Sequence, residues 1–112
     1  MPDPGAGVEL VVRDATQRQR YEGRLGPDGP LAVILTYDLQ DERMTLRHTE
    51  VFEAYEGRGL GSRMVDEVLT DLRARGIGVV ARCPFVVAWL QRHPERQDIL
   101  VEPLRARDRP GS

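Results

Sequence analysis

The first half of the chain alternates apolar segments with turn-forming ones, which is the pattern of β-hairpins. Residues 8–13 (VELVVR) and 19–25 (QRYEGRL) suit short strands, and residues 31–38 (LAVILTYD) are rich in β-branched and aromatic side chains. Residues 44–52 (MTLRHTEVF) alternate apolar with polar positions. Because turn formers (GPDGP) fill positions 26–30, the chain is expected to reverse there. The pattern predicts two hairpins and a mostly antiparallel sheet.

The fourth predicted strand contains His48 and Glu50, whose side chains can accept or donate a proton. Side chains on a strand alternate between its two faces. A strict alternation puts Met44, Leu46, His48 and Glu50 on one face, and Thr45, Arg47, Thr49 and Val51 on the other. We therefore expect His48 and Glu50 to project side by side.

The second half of the chain changes to helical spacing. Apolar residues at 60, 64, 65, 68, 69 and 72 predict an amphipathic helix of about four turns, which Gly76 ends. Residues 77–82 suit a strand, and Pro84 can open a second helix that runs to His93. The order of elements predicts an α+β fold with one domain over residues 8–102. Residues 1–7 and 103–112 are expected to be flexible ends.

Size and charge exclude several classes of protein. A chain of 112 residues holds one hydrophobic core, and its low aromatic content (5%) requires a core made mostly of Val and Leu. The formal net charge of −2 does not favour binding to nucleic acid or to an anionic membrane. The longest apolar run, residues 85–90, is too short to span a bilayer. No nucleic-acid or membrane partner is therefore expected.

The expected location is the cytoplasm. The first residues, MPDPGAG, lack the basic and then hydrophobic segments of a secretory leader. Cys83 is the single cysteine, so it cannot close an internal disulfide, and a reducing compartment fits. All basic residues are Arg and none is Lys. An amine substrate, if there is one, must therefore come from another molecule.

A glycine-rich loop lies between the fourth strand and the first helix. Gly57, Gly59 and Gly61 allow main-chain N–H groups to converge on an anion at the positive end of the helix, and phosphate is the natural ligand. The spacing is not that of the dinucleotide fingerprint, and no P-loop lysine follows. The alternative is that the glycines only turn the chain sharply.

This loop resembles the acetyl-CoA loop of the GNAT acetyltransferase superfamily, whose form is Arg/Gln-x-x-Gly-x-Gly/Ala. Glu56 stands at its first position, where a carboxylate would repel a diphosphate, while Arg58 and Arg63 flank the loop with positive charge. We expect a weakened loop and not an abolished one. Four segments in order are similar to the small GNAT-like proteins: HTEV at 48–51, GRGLG at 57–61, CPFV at 83–86 and RHPE at 92–95.

The resemblance implies a shortened GNAT fold that takes acetyl-CoA as co-substrate and an amine as acceptor. It implies that main-chain amides around Val51 and Phe52, on a bulged central strand, polarise the thioester carbonyl. It implies that the loop holds the diphosphate, through Gly57, Arg58, Gly59, Leu60, Gly61 and Ser62. It also implies an acceptor side that is open or completed by a partner subunit, which would make the protein a homodimer.

Three side chains are candidates for catalysis. His48 or Glu50 could deprotonate the acceptor amine, because both lie on the strand that leads into the loop. The alternatives are a structural histidine bonded to a neighbouring backbone group and a surface carboxylate paired with Arg47 or another arginine. Cys83 precedes a helix, where the dipole favours a thiolate, so it could relay the acetyl group, protonate the leaving thiolate or simply fill a gap in the core.

Other side chains have structural interpretations. Phe85 and Trp89 are predicted to lie in the core, and His93 is predicted to cap a helix C-terminus. The Cys, His and Glu spacings match no common metal motif, so no metal is expected. Together the observations predict a GNAT-like N-acetyltransferase. The alternative is a CoA-binding or protein-interaction module with little or no turnover.

Overall fold

The structure, a computed structural model, describes residues 9–104 and contains one five-stranded sheet. The strands are β1 (Leu10–Ala15), β2 (Arg20–Leu25), β3 (Leu31–Gln40), β4 (Arg43–Val51) and β5 (Gly78–Ala81), and the helices are α1 (Leu60–Ala74) and α2 (Pro84–Arg92). Short 3-10 turns lie at Thr16–Arg18, Glu53–Tyr55 and Pro94–Ile99. The first four strands pair antiparallel in chain order, and β5 adds parallel to β4 after α1 crosses over.

The predicted α+β fold with a mostly antiparallel sheet is confirmed. Each predicted strand and helix is present, with ends shifted by at most two residues. Gly76 ends α1 with a left-handed φ of 70°, and Pro84 opens α2. The sequence pattern predicted none of the three 3-10 turns. Residues 1–7, and 105–112 of the expected C-terminal tail, lie outside the described residues.

Helix α1 buries its apolar stripe on one face of the sheet, called here the inner face. Met64, Val65, Val68 and Leu72 of α1 are fully buried, in one core with Val33 and other inner-face residues. Val and Leu dominate this core, as the low aromatic content predicts. In the described residues, no helix is long and apolar enough to cross a membrane.

A polar network fixes the C-terminal half of α1 to the strands. The Tyr21 hydroxyl donates to Asp71 at 2.6 Å and accepts from Arg75 at 2.9 Å. Arg75 also contacts Asp14 at 3.0 Å, and the Tyr37 hydroxyl donates to the same carboxylate. Burial and the Asp71 carboxylate raise the pKa of Tyr21, so the phenol stays a donor. These bonds join β1, β2 and β3 to the helix.

Strand β4 contains a β-bulge that reverses the predicted faces. Thr36 of β3 lies opposite His48, but Tyr37 lies opposite Leu46, so Arg47 has no partner in the register. One extra residue moves every later side chain to the opposite face. His48 and Glu50 therefore lie on the outer face, away from α1, and Thr49 takes the inner face. The prediction that His48 and Glu50 share a face with Met44 and Leu46 was wrong, because the bulge lies between the two pairs.

The outer face carries a cluster of arginines around one carboxylate. Glu22 is within 3.3 Å of Arg18, 2.8 Å of Arg20 and 3.6 Å of Arg24. The Glu22 side chain is only 12% exposed, so water screens these contacts less than it does at an open surface. The hydrogen bond from Arg20 is the main cause that lowers the pKa of Glu22.

We expect Glu22 to stabilise the fold only while its carboxylate is ionised. Because its pKa is lowered on folding, its contribution is present above the unfolded pKa, near 4.5, and is lost as the pH falls through the folded value. Glu22→Gln should lower the free energy of unfolding by about 1–2 kcal/mol at pH 7. Urea unfolding at pH 7 and pH 3 measures the difference. The exposed Glu95→Gln is the control, and a Glu22 effect that persists undiminished at pH 3 would contradict the assignment.

Candidate active site

The site begins where β4 and β5 separate. Their parallel pairing ends at Leu46 and Ala81, one residue before the bulge at Arg47. The Leu46 carbonyl then accepts two hydrogen bonds, from the N–H groups of Arg82 and Cys83, both at 3.0 Å. Beyond this point β5 has ended and the chain turns into α2, while β4 continues to Val51. An open edge of β4 results.

The main-chain groups of β4 alternate along this open edge. Phe52 donates its N–H to the Ala32 carbonyl at 2.9 Å, so its amide points toward β3. Successive residues of a strand direct their N–H groups to opposite sides. The amides of Val51 and Thr49 therefore point away from β3, toward the side that β5 has vacated. Of the two amides expected to polarise a carbonyl, that of Val51 is suitably directed and that of Phe52 already has a partner.

Thr49 and Cys83 meet at the base of this opening. The Thr49 hydroxyl lies 3.3 Å from the Cys83 sulfur, and Cys83 is only 2% exposed. The pair lies on the inner face, next to the separated strands and at the first residue before α2. Sequence reasoning missed Thr49, because a threonine on a strand is unremarkable. The available signal was its position two residues before Val51, which puts both side chains on one face. The strict alternation, however, placed Thr49 and Val51 on the face of Thr45 and Arg47 and not on the face of Met44 and Leu46.

The glycine loop leads from the open edge into α1. Gly57 and Gly59 have left-handed φ angles of 80° and 71°, which explains why glycine occupies both positions. Gly59 is the N-cap of α1 and no side chain caps this end. The first N–H groups of the helix are consequently available to an anion, and the helix dipole favours negative charge there.

A cavity of about 250 Å³ joins the loop to the end of β4. Its lining residues are Val51, Glu56, Gly57, Gly59, Leu60, Gly61, Ser62 and Phe85. Phe85 is 40% exposed, so its predicted place in the core was wrong. Its ring lies over Gly61, where an added Cβ would approach the ring to 2.7 Å. Phe85 is thus a wall of the cavity, and Gly61 lets α1 approach α2 at this point.

The cavity has one negatively charged side chain in its lining and two positively charged side chains on the neighbouring residues of the loop and α1. Glu56, which stands where the GNAT loop has Arg or Gln, lines the cavity and brings a carboxylate to it. Arg58 lies over the Tyr55 ring, with its guanidinium carbon 5.8 Å from the ring centre, and Arg63 is exposed on the first turn of α1. The two guanidinium groups can offset the Glu56 carboxylate for an anionic ligand.

Helix α2 is tied to the start of α1 by the single tryptophan. Trp89, buried as predicted, donates its indole N–H to the Ser62 hydroxyl at 2.9 Å. His93 is the C-cap of α2, as predicted, and its ring stacks on Trp89 with centroids 3.9 Å apart. This hydrogen bond between Trp89 and Ser62 therefore fixes α2, and with it Phe85, next to the glycine loop.

His48 and Glu50 lie side by side, as expected, but on the outer face. His48 Nε2 and Glu50 Oε1 are 3.8 Å apart, and the side chains are 64% and 49% exposed. Arg47, the alternative partner for Glu50, instead contacts Asp38 at 2.6 Å. The candidate acid and base groups thus lie on two sides of one strand, with Cys83 inside and the His48–Glu50 pair outside.

Residues 9–104 form an α+β fold in which a glycine loop lies beside two parallel strands that separate, and the uncapped start of α1 next to them favours an anion. A family model described as GCN5-related N-acetyltransferase matches residues 20–99. The chain is 26% identical to Protein NATD1 from Bos taurus over 92 residues, which is 81% of this chain and 80% of that protein. The solution structure of a GCN5-like protein from Staphylococcus aureus superposes with a TM-score of 0.61. That match has 18% identity and covers 90% of this chain and 95% of the other, so it shows the fold alone.

The chain therefore belongs to the GCN5-related N-acetyltransferase family. The suspected membership of a small GNAT-like family is confirmed, together with the shortened fold.

Phe85 should contribute to the cavity more than to stability. We expect Phe85→Ala to lower the free energy of unfolding by less than about 1.5 kcal/mol, because much of the ring is already exposed to water. The matched change Leu90→Ala, at a fully buried position of the same helix, should cost about 2–5 kcal/mol. Denaturant unfolding of both variants checks this. Equal losses would mean that Phe85 is a core residue after all.

Proposed function

We propose that the protein transfers an acetyl group from acetyl-CoA to an amine. The observation that carries the proposal is the open edge of β4, where the Val51 and Thr49 amides face the gap beside the glycine loop. Membership of the GCN5-related N-acetyltransferase family supports it. Cytoplasmic location and a homodimer stay predictions.

The loop residues fit the diphosphate of acetyl-CoA. Gly59, Leu60 and Gly61 begin a helix whose N-terminus has no side-chain cap, so their N–H groups can donate to phosphate oxygens. Arg58 and Arg63 supply positive charge, and Ser62 is held by Trp89. Gly57 allows the turn that precedes them. Glu56 acts against binding, so a modest affinity is expected.

The open edge of β4 is suited to bind the thioester arm. The Val51 N–H, and the Thr49 N–H one step deeper, can donate to the carbonyl oxygen as negative charge develops on it. The Phe52 amide was expected to polarise the thioester carbonyl, but it already donates to the Ala32 carbonyl. The Thr49 amide takes this role instead. Acetyl-CoA supplies the activated acetyl group; the main chain of β4 orients it.

The two sides of β4 then divide the proton transfers. The amine approaches from the outer face, its nitrogen forms a bond to the acetyl carbon, and its proton passes to Glu50 or His48. The bond between the acetyl carbon and the CoA sulfur breaks, and the Cys83 thiol on the inner face protonates the leaving sulfur. Thr49 holds Cys83 in place through its hydroxyl. In the other route the Cys83 sulfur bonds to the acetyl carbon, the bond from that carbon to the CoA sulfur breaks, and the thiol proton of Cys83 passes to the leaving CoA sulfur. The amine nitrogen then bonds to the acetyl carbon, Glu50 or His48 takes the amine proton, and the Cys83 sulfur leaves as a thiolate that is reprotonated from solvent.

Gly59→Ala should weaken acetyl-CoA binding. A side chain at φ 71° strains the loop by about 1–2 kcal/mol and displaces the N–H groups of the helix N-terminus. We expect an affinity at least about tenfold lower, as for one lost hydrogen bond to a charged group. Calorimetric titration with acetyl-CoA measures it.

The matched control is Gly76→Ala, which has φ 70° and no neighbouring atom within 4 Å at the added Cβ. It should reduce stability as much as Gly59→Ala and leave the affinity unchanged. Equal affinities for both variants would remove the loop from the binding site.

Removal of the proposed base should slow transfer without removing binding. We expect Glu50→Gln or His48→Ala to lower the rate of thiol release with an amine acceptor by about 10²-fold, the usual effect of losing a general base. Whichever residue is the base will show the larger loss. The exposed Glu67→Gln on α1 is the control.

Cys83→Ala distinguishes the two routes. If the covalent route operates, mass spectrometry of the unaltered protein after incubation with acetyl-CoA alone detects a stable acetyl group, and the Cys83→Ala variant carries none. If Cys83 only protonates the leaving sulfur, neither protein is acetylated. Binding of acetyl-CoA without release of the CoA thiol in the presence of any amine would reject the enzyme and leave the CoA-binding module. Unchanged rates in all three variants would reject the assigned roles.

A further inference from the structure

The register of the sheet places the His48–Glu50 pair in line with the arginine cluster of β2. Arg20 lies opposite Thr36, which lies opposite His48. In the next row, Glu22 lies opposite Ile34, which lies opposite Glu50. Neighbouring strands are about 4.8 Å apart, so the two sites are separated by about 10 Å across β3.

The outer arginine cluster, defined as Arg13, Arg18, Arg20 and Arg24, has an excess of positive charge. Arg13 of β1 lies directly opposite Glu22, and the other three contact it. Arg18, Arg20 and Arg24 thus share this one carboxylate as an ion-pair partner. Four guanidinium groups around one carboxylate leave a local charge of three positive, in a chain whose net charge is −2.

The rest of the outer face is more nearly balanced. Asp38 and Arg47 pair at 2.6 Å, and Arg82 pairs with Glu102 at 3.0 Å. Between the arginine cluster and the His48–Glu50 pair lie the uncharged side chains of Thr36 and Ile34, of which Ile34 is only 8% exposed. The face therefore offers two separate sites to a bound chain, one for an ammonium group and one for carboxylates.

Building on the proposed acetyl transfer, we propose that the acceptor is a lysine in an acidic, extended segment of another protein. The lysine ammonium lies against Glu50 and His48, and aspartate or glutamate side chains two to four residues away contact the outer arginine cluster. That spacing spans about 7–13 Å in an extended chain, which brackets the distance across β3. Residues 16–19, with the short 3-10 turn Thr16–Arg18, are the whole connection between β1 and β2, so no α-helix from this connection covers the face.

A protein segment fits this face better than a small amine does. The side chains of His48, Glu50 and the four arginines are exposed or half-buried, and all except Arg18 lie on strands. Sites for small molecules, in contrast, are concave and enclose their ligand. Contacts spread over about 10 Å of open surface favour a ligand with several charged groups. The excess charge also steers an acidic segment to a protein that is itself acidic overall.

The test uses two blocked ten-residue peptides, each with one central lysine as its single amine. One carries glutamate two and four residues on either side of the lysine, and the other carries glutamine there. Fluorescence anisotropy without acetyl-CoA measures binding, and thiol release with acetyl-CoA measures transfer. We expect the glutamate peptide to bind at least about tenfold more tightly at low salt, with the advantage lost at 0.5 M NaCl.

The test variant is Arg13→Glu/Arg18→Glu, which reverses two exposed arginines and leaves the close Arg20–Glu22 pair intact. It should abolish the preference for the glutamate peptide in both assays. The control, Arg73→Glu/Arg92→Glu, makes the same change of charge at the ends of the two helices and should leave the preference unaltered. Circular dichroism confirms that both variants are folded.

The outcomes separate this inference from the proposed function. Transfer to both peptides at equal rates, or a faster reaction with free 6-aminohexanoate than with either peptide, overturns the acidic segment and leaves acetyl transfer standing. A lack of transfer to any amine rejects the function, while the anisotropy still decides whether the arginine cluster selects acidic peptides. An equal loss of preference in the control variant also overturns the inference.

Discussion

The whole site depends on how the pairing of β4 and β5 ends. A single carbonyl, that of Leu46, accepts the last two hydrogen bonds from the β5 side, and the bulge at Arg47 follows immediately. The two features belong together, because a strand that loses its partner on one edge can twist and insert a residue there without breaking further bonds. Everything that distinguishes the site, including the open amides and the position of Cys83, lies beyond this carbonyl.

The bulge also separates the chemistry into two environments. Cys83 and Thr49 lie on the inner face, packed against the helices, while His48 and Glu50 are on the wet outer face. A buried thiol next to a hydroxyl and an exposed imidazole next to a carboxylate suit different proton transfers. One extra residue in β4 therefore places two unlike pairs on opposite sides of one strand, which strict alternation could not do.

Much of the fold could be predicted from the sequence because its signals are local. The turn formers at 26–30 and Gly76 mark reversals and helix ends, and the apolar spacing after Leu60 defines α1. The bulge could not be predicted, since Arg47 is neither a glycine nor unusual in a strand. That one residue made the predicted face of Thr49 wrong.

Residues of the candidate site could be predicted from the sequence where the backbone conformation requires a particular residue type. Residues placed by tertiary packing could not. Gly57 and Gly59 have left-handed conformations, so their presence in the sequence is informative. Phe85 looked like a core residue because it begins an apolar run, but the first turn of α2 reaches past the core to the cavity. The partner of the Phe52 amide is a tertiary contact and leaves no trace in the sequence.

The indole hydrogen bond at the start of α1 has a practical consequence. The protein has one tryptophan, and its N–H is anchored to Ser62 in the first turn of the helix that follows the glycine loop. Any rearrangement of that turn alters the polarity around this one fluorophore. The molecule thus contains an intrinsic optical reporter beside its cavity, with no second indole to dilute the signal.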